Sequence, residues 1–226
     1  MSRPSSRDHT GAILTALFVT ALWSSSWVLI RQGLDEEGLE PLTFAGVRYL
    51  LASLLLVGLV LASPGARRTM TGVGRARWGF LVILGLVFVA LAQGAQFVAI
   101  DAQPAATTSL VLSLPPLLVA GGSTIALAER PTVGQTTGAG LIVLGAVAYF
   151  SGDLGFTLVG MLASVVGLMS NASGALLGRS VNRDRALAPV VVTAVSMSAG
   201  AVALMTAGVV VEGVPEISTR AWLIIV

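Results

Sequence analysis

The sequence predicts an all-α transmembrane protein built as an inverted repeat of five-helix units. Three observations predict it. Hydrophobic residues make up 55% of the 226-residue chain and charged residues only 11%, against about 25% charged in a soluble domain. The apolar residues fall in long, uninterrupted runs. The runs also repeat. Trp23-Ser-Ser-Ser-Trp-Val-Leu-Ile-Arg31 closes one, and Asn171-Ala-Ser-Gly-Ala-Leu-Leu-Gly-Arg179 closes another 148 positions later.

A mean hydropathy of +0.89 cannot give a water-solvated surface. The net charge is only +2. A pI near 9.9 is no sign of nucleic-acid binding, because the charges sit between apolar runs. All 13 basic residues are Arg. Cysteine is absent, which excludes disulfides, thiol catalysis and Cys-ligated metals. The sequence carries no metal-ligand cluster, nucleophile–base pair or phosphate-binding loop. No enzyme activity, metal or cofactor is therefore expected.

A spanning helix needs about 20 mainly apolar residues. Seven stretches qualify: 11–30, 42–63, 78–100, 105–127, 133–151, 154–177 and 189–211. An eighth begins at Ala221. Barrel strands would alternate polar and apolar over about ten residues, and these runs do not. Arg3 and Arg7 before the first run resemble a signal peptide. That run continues past Trp27 without a small-x-small cleavage site, so it is read as an uncleaved first span.

The loops give orientation. Arg3, Arg7, Arg67, Arg68, Arg75, Arg77, Arg130, Arg179, Arg183 and Arg185 all fall on one side. The other side holds Arg31 and Arg220 with Asp35, Glu36, Glu37, Glu40, Asp101, Asp153, Glu212 and Glu216. Basic loops stay in the cytoplasm. The expectation is a multi-pass protein of the plasma or inner membrane with a cytoplasmic N-terminus.

Five spans per copy is an odd number, so the second copy starts on the opposite side and the repeat is inverted. The first unit covers 1–152 and the second, incomplete, covers 153–226. Pro41 and Pro189 open matching spans, and Trp78-Gly-Phe-Leu-Val matches Trp222-Leu-Ile-Ile-Val at an offset of 144. Ten helices are expected, with seven complete and an eighth begun. A completed duplication would need about 70 further residues.

Several residues within the spans can carry chemistry. Arg48 lies one to two turns into the second span, where it either meets a substrate anion, anchors helices or snorkels to headgroups. Gln93 and Gln96 share one face of the third span, as cavity donors or as interhelical glue. Trp23, Ser25 and Ser26 make the first span polar and aromatic, and Trp27 is equally suited to an interface anchor. Asn171 and Ser173 occupy the matching part of the sixth span. Pro115 and Pro116 interrupt the fourth span, as a hinge or a static kink. Gly134/Gly138 and Gly174/Gly178 permit close helix packing. Asp101 and Glu129 read as span-end residues, and His9 as incidental.

Three segments carry a family resemblance. They are Ala21-Leu-Trp-Ser-Ser-Ser-Trp-Val, Phe44-Ala-Gly-Val-Arg48-Tyr-Leu-Leu-Ala, and 105–118 followed by Ala128-Glu-Arg-Pro131. With the five-span repeat, they resemble the EamA type of the drug/metabolite transporter superfamily. Ser25-Ser26 stands where the family favours Gly/Ser-Asn, and Ala128 stands where it favours Gly. The resemblance implies ten helices around a central cavity and movement of small organic metabolites or drugs, often outward, by proton coupling, exchange or facilitated diffusion; the inverted repeat suits alternating access around that cavity. The implied partners are the bilayer, a small-molecule substrate and a proton or exchanged solute. No nucleic-acid partner is implied, and a homodimer is left open. A non-transporting scaffold or sensor subunit, or an inactive truncated fragment, is the alternative.

Overall fold

Long apolar runs bounded by Pro and Gly dictate most helix limits in the computed structural model, which describes residues 6–119, 132–149, 155–183 and 186–225. Helix α1 is Ser6–Glu36 and α2 is Pro41–Ala62. Short α3, Pro64–Met70, leads to α4, a 28-residue helix over Arg75–Ala102. Next come α5, Ala105–Val111, and a helical segment at 115–119. Helices α6, Val133–Tyr149, α7, Leu158–Asn182, α8, Pro189–Glu212, and α9, Thr219–Ile225, complete the order. Among the described residues every regular element is helical. Five of the described helices, α1, α2, α4, α7 and α8, are long and apolar enough to cross a membrane. The expected 128–131 motif, residues 120–127 of the fourth span, Arg3, Asp153 and Arg185 lie outside the described residues.

Pro41 and Pro189 each stand at the first helical turn, where a missing N–H costs no hydrogen bond. Gly213, at φ +94°, ends α8 in a conformation that L side chains avoid. Thr157 caps α7 by accepting from Gly160 N at 3.0 Å, and donates to Ala102 O at 3.0 Å. The expected sixth span thus begins at Leu158, because residues 155–157 are spent on this cap. The first span runs on to Glu36, beyond the expected 30. Its extra turn is held by an Arg31–Asp35 pair at 2.6 Å, one helical turn apart.

Helices α2 and α8 form the most extensive pair. They run antiparallel: a Cβ on Gly46 would meet Met205, and one on Gly208 would meet Thr43 N at 2.7 Å. Val60, near the far end of α2, packs with Val191 at the start of α8. Helix α4 lies on α7 and α8, while α9 lies on α1 and α2.

Backbones of α4 and α8 touch where Gly85 meets Gly200, since a Cβ on either would overlap the other helix's carbonyl oxygens. Directly after Gly85, residues Leu86–Leu91 widen into a π turn. Such turns rephase the residues that follow them, here Gln93 and Gln96. One apolar cluster closes each end of the bundle. Ile30, Phe44, Phe97, Ile100 and Leu204 form the first, with Phe44 and Phe97 edge-to-face at 5.1 Å. Val60, Leu81, Leu84, Val191 and Val192 form the second.

A candidate substrate cavity between the helices

Between the two clusters lie two adjoining cavities. The first, about 290 Å³, is lined by Trp23 and Ser26 of α1, Arg48 and Tyr49 of α2, and Gln93 and Gln96 of α4. The second, about 460 Å³, shares Trp23 and Gln96 with it. It extends past Trp27, Phe88, Pro115 and Pro116 to Asn171 and Ala175 of α7. At 1.5 Å per residue, Arg48, Gln96 and Ser26 sit roughly 9–15 Å along their helices from the ends bearing Glu36, Pro41 and Ala102. That depth is within the hydrocarbon of a bilayer about 30 Å thick.

Helical phase explains who faces inward. Residues at i, i+3 and i+4 share a face, so Trp23, Ser26, Trp27 and Ile30 form one stripe of α1. Ser25 lies off that stripe, exposed, with its hydroxyl donating to Leu22 O at 2.8 Å. Asn171 and Ala175 share a face of α7, while Ser173 is exposed on another. Ser25 and Ser173 therefore line neither cavity, and six of the eight expected polar or aromatic lining residues do. Asn171 donates one amide hydrogen to Gly167 O at 2.9 Å. Gly174 lies against the Phe88 ring, which has no room for a Cβ there. Gly134 and Gly138 have no such contact among the described residues.

The helix break at the double proline is visible. Residues 112–114 leave the helix and a new segment starts at Pro115. Proline crowds the α conformation of the residue before it, and its ring has no N–H to bond backwards. Ser109, Leu112 and Ser113 join the two prolines along the second cavity.

Among the described residues, Arg48 is the only charged one lining the first cavity. Its Nη1 is buried and has no hydrogen-bond partner among the described residues.

The end of the bundle bearing Glu36, Glu40 and Glu212, the acidic end, is cross-linked. The Glu212 carboxylate accepts from Leu42 N at 2.9 Å and Thr43 N at 2.7 Å, filling free amides at the start of α2. Arg31 donates to Ile100 O at 2.5 Å. Arg220 reaches Glu36 at 3.0 Å and Glu37 at 3.3 Å.

The family model described as EamA-like transporter family matches residues 10–151 of this sequence. The chain belongs to the EamA-like transporter family. Curated relatives agree. One is an uncharacterized transporter, YvbV, of Bacillus subtilis (strain 168), 28% identical over 170 residues, which is 73% of this chain and 52% of that protein. Another is an uncharacterized transporter of Archaeoglobus fulgidus, 31% identical over 115 residues, covering 51% of this chain and 36% of the relative. The chain thus spans about half the length of the first relative and about a third of the second. Family membership and the apolar helices make it a multi-pass membrane protein.

Some polar residues in this EamA-like bundle escaped the sequence reading. Gln103, 3% exposed, donates to Thr108 and Ser164 hydroxyls, both at 3.0 Å, and ties the α4–α5 corner to α7. Gly160 makes the notch that admits its side chain. Its place before Pro104, where helices end, was the available signal. Ser164 lies 61 positions away and offered none.

Proposed function

We propose that this chain forms part of a secondary transporter that moves small organic solutes, outward in the cell, by alternating access through these cavities. Two lining pairs carry the reading. Trp23 and Asn171 face the second cavity together, as do Trp27 and Ala175, and each pair is separated by the same 148 positions as the sequence repeat. A cavity shared by matched positions of two copies is what an inverted duplication around a pseudo-two-fold axis produces. The antiparallel α2–α8 pair and the exchange-equivalent contacts of α4 and α9 support the same arrangement.

On this reading the two five-helix units of the repeat rock against each other, and the cavity opens to either side in turn. The basic end, with Arg67, Arg68, Arg75 and Arg77, faces the cytoplasm of a cell bounded by the plasma or inner membrane. Pro115 and Pro116 act as the hinge beside the cavity. Trp23, Ser26, Arg48, Gln93, Gln96 and Asn171 contact the solute.

The test is flux. Purified protein in sealed liposomes is offered a panel of labelled organic acids, amines, amino acids and neutral solutes. The reading expects saturable movement of at least one class, reduced by Gln93→Ala. Failure across the panel with helicity intact would contradict it.

A further inference from the structure

We infer that the cavity takes a small organic anion with an apolar body, whose carboxylate is bound by Arg48. This rests on the transport reading and adds the substrate class. Arg48 brings a cationic guanidinium to the cavity wall. Nη1 of Arg48 is buried and unpartnered among the described residues. A buried charge is normally paired or hydrogen-bonded.

Among the described residues, no carboxylate lines either cavity to supply the pair locally. Asp35, Glu36, Glu37 and Glu212 are engaged at the acidic end by Arg31, Arg220 and the α2 N-terminus. At the acidic end, then, Arg31 and Arg220 take carboxylates of the chain itself. At Arg48 an incoming carboxylate would fill that role, and the planar guanidinium suits it through two parallel N–H bonds. The amides of Gln93 and Gln96 line the same cavity and offer further donors.

The other half of the ligand follows from the second cavity. Beyond Gln96 the wall turns apolar, with Trp27, Phe88, Pro115 and Pro116. A ligand spanning both cavities would have its charged end at Arg48 and a flat, apolar end among the rings. A purely inorganic anion would leave the second cavity unused, and an organic cation would face Arg48 with like charge.

Equilibrium dialysis of the purified full chain in detergent, with labelled 3-phenylpropionate and its neutral amide, 3-phenylpropionamide, tests this directly. The acid should bind at least about tenfold more tightly than the amide, the ratio expected of a charge-assisted hydrogen bond. Arg48→Gln should abolish that preference, and Arg48→Lys should keep part of it. Equal binding of acid and amide, no binding of the acid, or a preference that survives in Arg48→Gln would overturn the inference. Should Arg48→Gln fail to fold, the acid–amide comparison on the unsubstituted chain decides alone. Flux separates the two readings. Transport of a neutral solute that is unaltered in Arg48→Gln, without acid preference, overturns the anion class and leaves transport standing. Acid preference without flux of any solute keeps the site and removes transport.

Discussion

The acidic end of the bundle and the cavity below it contain similar polar side chains in opposite circumstances. At the end, Arg31 and Arg220 are paired, and Glu212 holds two backbone amides of α2. About two to three helical turns deeper, Nη1 of Arg48 has no partner among the described residues, and Gln93 and Gln96 border open space. Polar groups at the end join helices. Polar groups in the cavity are held by the same helices yet are left facing a space. The difference teaches that polarity does two things in one membrane bundle: satisfied groups fix the frame, and the unsatisfied ones are those that the transport proposal assigns to a guest.

Substitutions can break or sharpen that contrast. The largest effect is expected in the frame itself. Gly200→Leu would press a side chain into the backbone of α4, where no rotamer change relieves the overlap. A loss of about 3 kcal/mol or more is expected, seen as a collapsed thermal transition in detergent. Next comes Glu212→Ala, which strands two amides at the start of α2. It should cost about 2 kcal/mol by the same measurement. Arg220→Ala removes the pairs with Glu36 and Glu37, made by an arginine side chain that is 64% accessible, and should cost about 1 kcal/mol. Smallest in stability is Gln96→Leu. It removes a cavity-facing amide and should leave unfolding unchanged or slightly raised, while lowering flux. A large stability loss in Gln96→Leu would mean that the amide is glue after all, and the contrast would fail.

Much of the frame was legible in the sequence because it rests on local rules. Run length marked the long spans, Pro41 and Pro189 marked two starts, and Pro115 marked a break. The cavity was legible in part. Trp23, Ser26, Arg48, Gln93, Gln96 and Asn171 stood out as polar or aromatic residues inside apolar runs. Ser25 and Ser173 stood out equally, and only helical phase turned them outward. The π turn at Leu86–Leu91 accompanies the meeting of Gly85 and Gly200, 115 positions apart, which no local pattern announces. Gln103 with Ser164, and Glu212 with the start of α2, are likewise products of tertiary approach.

The central claim is that the cavity is wet and reaches each aqueous side in turn. The chain contains no cysteine, so a single introduced thiol has no background. Gln93→Cys in sealed vesicles of either orientation, treated with a membrane-impermeant maleimide, tests the claim most directly. Leu55→Cys, at an exposed apolar position within α2, serves as the control expected to stay unreactive in the bilayer. The account predicts that Gln93→Cys is modified from both sides while Leu55→Cys is not. A Gln93→Cys protein that folds and resists the reagent from both sides would contradict it.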